Sequence, residues 1–270
     1  GDFLTWPLAE HYLSTKQDRN DQQENIILNG RYILTQTIET NATNEIWLGL
    51  DRLTASTVII EILEKTYLST NGFANFINDL TAMQTTHIAG IAEYLDISPH
   101  QSFLVKKPHR GTTLKEYLNS NDTQNFRHYF YRLLDIIENC HHEGWLHTQL
   151  NLTNIFVSAR QVIVDGWGYR HLKSQLQTRT TGEDSPWLFC APEIFHGGAY
   201  DQRADVFSLI ALLEYFFKHQ NLFALMPNDK RVTWEHFFQK NNSTELKKRI
   251  QSIKELREKI PKWPSAKLLS

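Results

Sequence analysis

Short apolar runs broken by polar turns open the patterned part of the chain. RYILTQTI, NEIWLGLD and STVIIEIL are rich in β-branched and aromatic residues, and their spacing predicts a three-stranded antiparallel meander from about Gly30. Residues 72–86 place Phe73, Phe76, Leu80 and Met83 at helical spacing, so a helix is expected there. Two further strands are expected around IAEYLDI and SFLVKK. After Gly111 the pattern turns mainly helical, with wide apolar faces over 123–140 and 202–218, as in helices buried inside a domain. Residues 154–164 read as a small hairpin between them. The first 29 residues have another texture: an amphipathic stretch, FLTWPLAEHYLSTK, and then a linker-like polar run, QDRNDQQEN. The pattern therefore describes an N-terminal extension over 1–29 and an α+β domain over 30–270, strand-rich to about 109 and helix-rich from about 110.

Composition narrows the class. The 270 residues are 41% hydrophobic and 21% charged, ordinary for a soluble globular protein, and long enough for a two-lobed domain with a substantial core. A net charge of −2 gives no field directed at nucleic acid or an acidic membrane, so neither is expected as a partner. The two cysteines, Cys140 and Cys190, lie in apolar surroundings and read as buried thiols of a reducing compartment, which suggests a cytoplasmic domain. No apolar run reaches the roughly 18–20 residues that span a bilayer. The chain begins at Gly1 without a Met, which suggests a piece of a longer protein that carries any membrane anchor elsewhere.

An ordered series of blocks then carries a resemblance. LNGRYILTQTI and IWLGLDRLTASTVIIEIL, SFLVKKPHRGTTLKEYL, HHEGWLHTQLNLTNIFV, CAPEIF, ADVFSLIALLEYF and IPKWPSAKLL follow one another in this order. Together they resemble the eukaryotic-like (Hanks-type) Ser/Thr protein kinases, especially the bacterial branch, from about Gly30 to the last residue. The resemblance implies a bilobal fold: a β-rich N-lobe with one helix, a mainly helical C-lobe, and IPKWPSAKLL in the final helix. Each block alone is weak; their order is the signal.

Phosphoryl transfer in that family needs backbone donors over the phosphates, a lysine, metal-binding carboxylate and amide groups, and a base. By the resemblance, the phosphate-covering loop reads IETNATNEIW, with Glu39, Asn41 and Asn44 at the glycine positions, and is expected to persist as a hairpin. The lysine position holds Glu61, the helix acid is Asp79, the base position holds Gln149, and the following lysine position holds Asn151. Gln149 cannot accept a proton at neutral pH. Asn154 remains at the metal-binding amide position, although an Asn there also works as a turn cap. The Asp-Phe-Gly triplet falls on Gly166, Trp167 and Gly168, with Asp165 one position early; a local bulge would return it as a metal ligand. Pro186 stands at the position of an organising Thr.

Lys106 falls on strand five at a position facing the pocket. An inward Lys106 would pair with Glu61 and reach toward Asp79, inverting the family's ion pair; a slipped strand would instead turn it to solvent. Ile46, Ile59 and Phe156 take the positions around the adenine ring and either close the slot or serve as ordinary core. ATP and magnesium are both expected to bind weakly or not at all, leaving no cofactor. Met83, Tyr94, His147 and Trp167 fall on the family's regulatory spine with Asp205 beneath, and Glu193 is expected to pair with Lys262. His141 reads as a packing or capping residue. Thr178, Thr180 and Thr181 offer phosphorylation sites in a polar loop, or simply belong to a mobile one.

Three functions compete. The first is an inactive pseudokinase, not an enzyme, that works as a scaffold or allosteric module for a protein partner such as a kinase, a phosphatase or a phosphothreonine-reading domain. The second is an atypical transferase in which Lys106 and Asp165 replace the missing groups. The third is a nucleotide sensor. The substituted positions favour the first.

Overall fold

The structure is a computed structural model that describes residues 26–40, 44–64, 71–98, 100, 102–120, 122–172, 186–196 and 198–264. Thr178, Thr180, Thr181, Asn41 and the FLTWPLAEHYL segment lie outside the described residues. The chain forms two compact units. One holds the residues up to Thr86 together with Ala92–Gly111; the other holds His87–Ile91 and the chain from Thr112 onward.

Among the described residues the first unit is a six-stranded antiparallel sheet with one helix. Its strands are β1 (Ile27–Leu28), β2 (Tyr32–Thr40), β3 (Asn44–Asp51), β4 (Ser56–Leu63), β5 (Tyr94–Ser98) and β6 (Phe103–Lys106), in the order β1-β2-β3-β4-β6-β5. The expected meander is β2-β3-β4. The β2–β3 ladder runs out to Thr40 opposite Glu45, so the glycine-free loop does persist as a hairpin. Strand β4 is apolar almost throughout and is covered on both faces, which a central strand requires. Val58 and Ile60 on one face join Tyr32, Leu34, Phe103 and Val105 in a core cluster. Ile59, Glu61 and Leu63 project from the other face. Helix α1 (Asn71–Gln84) buries Phe73, Phe76, Leu80 and Met83, the residues whose spacing predicted it.

The second unit is helical around a small sheet. Strands β7 (Thr112–Thr113), β8 (Ile155–Val157) and β9 (Val162–Val164) pair in that order, β8 and β9 forming the expected hairpin. Helix α2 (Leu114–Leu118) starts with a capping box, in which Thr113 and Glu116 satisfy each other's backbone N–H groups. Helices α3 (Phe126–His142) and α5 (Arg203–His219) form the interior, with Phe126 stacked on Phe216 at 3.7 Å. Short α4 (Pro192–Phe195) and α6 (Leu222–Leu225), then α7 (Asn228–Asn241) and α8 (Ile253–Lys259), complete the unit. Trp234 and Trp263 pack against Phe217 at 4.3 and 6.1 Å.

Helix α8 ends at Lys259 and residues 261–264 are irregular, as Pro261 and Pro264 dictate, since neither can donate to a helix and each disfavours helical backbone at the residue before it. The rest of the IPKWPSAKLL block lies outside the described residues. One expectation needs correction here. Glu193 pairs with Arg249, not with Lys262: the Arg249 guanidinium meets both carboxylate oxygens at 3.0 and 2.9 Å, while Lys262 is exposed. A planar fork satisfies a buried carboxylate in a way that one ammonium cannot.

Candidate active site

In the first unit the site is a buried pair of opposite charges. Antiparallel register sets Ile59 opposite Lys106 and Glu61 opposite Leu104. Glu61 and Lys106 are therefore diagonal neighbours on one face, within reach of a long side chain. Lys106 Nζ donates to Glu61 Oε2 at 2.9 Å, with the two side chains only 6% and 3% exposed. Glu61 Oε1 accepts from Asn44 Nδ2, so both oxygens of the carboxylate are engaged. Burying two charges is costly unless geometry and extra hydrogen bonds satisfy them, and this arrangement supplies both. The inward reading of Lys106 is the one realised; the partnership with Asn44 was not foreseen. Ile46 stands opposite Glu61 on β3, Ile59 is buried, and Asp79 is half-buried on α1.

In the second unit the site is a loop held from below. Asp205, in the first turn of α5, is fully buried. Its carboxylate accepts from the backbone N–H groups of His147 and Thr148 at 2.9 and 2.5 Å, and meets His141 Nε2 at 2.8 Å. Burial by itself would raise its pKa. The His141 hydrogen bond and the charges and N–H groups around it outweigh burial and hold the carboxyl below its usual range. His141 is thus a carboxylate partner as well as a packing residue. These bonds fix Thr148 in a left-handed conformation, φ +66°, which a β-branched residue adopts only when its surroundings impose it.

His147 is completely enclosed. Its Nδ1 accepts from the Gln149 N–H at 3.2 Å, which leaves Nε2 as the protonated nitrogen that donates to the Asp165 carbonyl at 2.8 Å. Burial, the largest influence, lowers its pKa and keeps the ring neutral. The edge of Trp167 lies 4.6 Å from the ring centre, and the indole N–H bonds to Val164 O.

The loop beyond His147 is closed by two asparagines. Asn151 Oδ1 accepts from Thr153 and Asn154 N–H groups, while Asn154 Oδ1 accepts from Asn151 N–H. Both amide nitrogens donate to the Gln149 carbonyl, at 3.1 and 2.9 Å. Asn151 and Asn154 therefore both act as turn caps. The Gln149 amide nitrogen and the Thr148 hydroxyl are buried without a hydrogen-bond partner among the described residues.

Gly166, just past β9, takes φ +82°, and a Cβ there would stand 3.2 Å from the Asn154 amide nitrogen, so both backbone and space favour glycine. Asp165 N–H bonds to Asn154 O at 2.8 Å, which extends the β8–β9 pairing by one residue pair, and Asp165 Oδ1 accepts from Gly166 N–H at 2.7 Å. Asp165 therefore stands opposite Asn154. Hard oxygens of this type suit Mg²⁺, which takes one or two protein ligands and completes its shell with phosphate and water. Among the described residues no group of three or more His, Cys, Asp or Glu side chains forms a protein-only metal cage. Phe156 is half-buried on β8, opposite Thr113 and Ile163. Cys140 and Cys190 are buried free thiols, both pushed up to about 12 chiefly by burial, and are inert at neutral pH.

The curled sheet with helix α1 and the helical second unit make up the protein kinase fold. Residues 36–267 match the protein kinase domain family, and the chain belongs to it. It is 23% identical over 191 residues to serine/threonine-protein kinase SIK1 of Mus musculus, covering 68% of this chain and 24% of that protein. It is 27% identical over 224 residues to CBL-interacting protein kinase 16 of Oryza sativa subsp. japonica, covering 76% of this chain and 49% of that one. The chain spans about a quarter of the length of the first of these relatives. Among solved structures, the PpkA-294 apo form superposes with a TM-score of 0.65 at 16% identity, over 93% of this chain and all of that one. The PknI kinase domain of Mycobacterium tuberculosis superposes at 0.60 and 15%, over 88% and 97%.

Membership corrects the expectation that the chain is not an enzyme. The family and its relatives, named as kinases, point to an enzyme, and a buried lysine and an aspartate are present in Lys106 and Asp165. Reading substitutions one position at a time ties each charge to one place in the sequence. The chemistry needs the charge at a place in space, and strand register can deliver it from a neighbouring position.

Proposed function

We propose that the chain is an atypical protein kinase domain that transfers the terminal phosphoryl group of ATP slowly, with Lys106 as the phosphate-directed cation and Asp165 as the metal-directed carboxylate. The observation that supports this most is the backbone bond that sets Asp165 opposite Asn154, at the end of a loop anchored by Asp205. Asp165 and Asn154 would hold a divalent cation, which supplies charge neutralisation at the phosphate oxygens.

Phosphoryl transfer passes through a loose transition state, so positioning and electrostatics carry most of the rate. A base contributes about 10²–10⁴-fold. With Gln149 at that position, transfer is slower than in a complete site by a factor of this order. Lys106 shares its charge with Glu61, and so attracts phosphate less than an unpaired lysine would; nucleotide binding is correspondingly weak. Regulation by a protein partner of phosphorylation signalling, a kinase, a phosphatase or a phosphothreonine-reading domain, belongs to the same proposal.

The test is transfer from γ-labelled ATP with magnesium. Slow labelling of the chain or of a generic acceptor is expected, reduced more than about tenfold in Asp165→Asn. No labelling above background, or labelling that Asp165→Asn leaves unchanged, overturns the proposal. Stabilisation by several degrees at millimolar ATP would contradict weak binding.

A further inference from the structure

A second charged site lies on the helical unit, between the end of α7, the 3-10 turn Leu246–Lys248 and α8. It is an open cavity of about 530 Å³, and every residue lining it is polar or charged. Lys240, Lys247, Lys248, Arg249 and Lys259 contribute five cations, against the single carboxylate of Glu255. The chain as a whole carries a net charge of −2, so this basic concentration is local.

The floor and the rim are built differently. Arg249 is 3% exposed and committed to Glu193, with its Nε bonded to Ser243 O at 2.6 Å. The Gln251 amide bonds to the carbonyls of Leu246 and Arg249 at 2.9 and 2.5 Å, and its backbone N–H bonds to Glu255 at 2.7 Å. The floor is therefore fixed. The rim is lysine. Lys248 is tied to Glu245 and Lys259 to Glu255 only by exposed pairs of the kind that contribute little, and an anion can exchange them. Lys240, at the end of α7, and Lys247, in the 3-10 turn, both line the opening and are exposed. The Glu255 carboxyl is held below its usual range, first by Lys259, then by the Gln251 N–H, with Lys240 adding to the effect, so lysines of both helices converge on one point.

We propose that this cavity binds a compact small molecule bearing two or more phosphoryl groups. The charged heads of the lining residues stand on methylene stems, so the cavity offers cations at its rim without a large apolar side chain, and the volume exceeds what a single phosphate fills. Four lysines on flexible stems act as point charges that follow several phosphoryl groups without imposing one orientation, whereas planar guanidinium forks would select a single one. A polyphosphate chain and a polyphosphorylated sugar share this chemistry.

Calorimetric titration of the purified chain with tripolyphosphate, inositol hexakisphosphate, inorganic phosphate and a phosphothreonine peptide tests the site. Binding of at least one of the first two is expected, at least about tenfold tighter than inorganic phosphate and weakened by raising salt from about 50 to 200 mM; which of the two binds tighter identifies the source. Lys240→Ala with Lys247→Ala should weaken binding about tenfold or more, that is by about 1.4 kcal/mol. Lys254→Ala, on an exposed side chain outside the cavity, and Asp165→Asn should leave it unchanged, which separates this site from the proposed active site. The proposal is overturned by no binding of either polyphosphorylated probe at millimolar concentration. Equal affinity for inorganic phosphate, full binding by the double variant, or binding of the phosphothreonine peptide alone would overturn it as well.

Discussion

Glu61 in the first unit and Asp205 in the second are both carboxylates withdrawn from solvent, and the two are held by different kinds of partner. Asp205 is held by two backbone N–H groups and an imidazole. Glu61 is held by two side chains, Lys106 and Asn44. Backbone donors are set by the path of the loop, so the carboxylate and the loop determine each other. Side-chain donors can be exchanged together with their acceptor. The sequence carries this difference: the second unit holds Asp205 with the loop that begins at His147, while the first sets Glu61 and Lys106 on the neighbouring strands β4 and β6.

The comparison breaks most sharply at Asp205. Asp205→Ala removes three hydrogen bonds, two of them to backbone N–H groups that nothing else in the loop can satisfy. A loss of about 4 kcal/mol or more is expected in chemical denaturation, each charge-assisted bond being worth roughly 1.5–3 kcal/mol. A loss under about 1 kcal/mol would mean that the loop holds itself. At Glu61 a single and a double change should part company. Lys106→Met leaves a buried carboxylate without its cation and should cost about 3 kcal/mol, whereas Glu61→Leu combined with Lys106→Met should recover most of that. If the double variant is as unstable as the single one, the pair is not separable from its surroundings, and the contrast with Asp205 fails.

Acid separates the units in the same sense. His147 has a folded pKa below its unfolded value near 6.5, so the unfolded chain binds the extra proton first. The stability it contributes is complete above about 6.5 and declines as pH falls toward its folded pKa, at up to about 1.4 kcal/mol per pH unit. Asp205, with its carboxyl depressed, adds a loss of the same sign at lower pH, beginning near its unfolded value of about 3.9. Urea midpoints measured from pH 7.5 to 5 should show this slope, and His147→Phe should flatten it. The smallest effect is at the cap of α2: Thr113→Ala should cost about 1 kcal/mol and leave phosphoryl transfer unaltered, as a purely structural change does.

Much of the site was legible in the order of blocks and in strand alternation. Glu61 and Lys106 could be placed on one face because β4 and β6 each have a buried face that fixes register. The loop from His147 to Asn154 could be placed by spacing. Three features were out of reach. Arg249 as the partner of Glu193 depends on how the segment after α7 returns to α4, a path that local pattern does not encode. The Asn44 contact depends on the register of β3 against β4. The left-handed turn at Gly166 was the third, because a glycine permits such a conformation without requiring it.

Periodicity by itself determined the α+β class, the β2-β3-β4 meander and the helices at α1, α3 and α5, since these follow from local runs of residues that must be covered or exposed, while the ordered blocks carried the resemblance to the family. Only the tertiary structure decided which charges meet. Lys106 and Glu61 are 45 residues apart, Arg249 and Glu193 are 56 apart, and His147 and Asp205 are 58 apart. Such pairs are brought together by the burial of their neighbours. Electrostatic attraction alone, weak between charges in water and strong only once water is excluded, would not have assembled them.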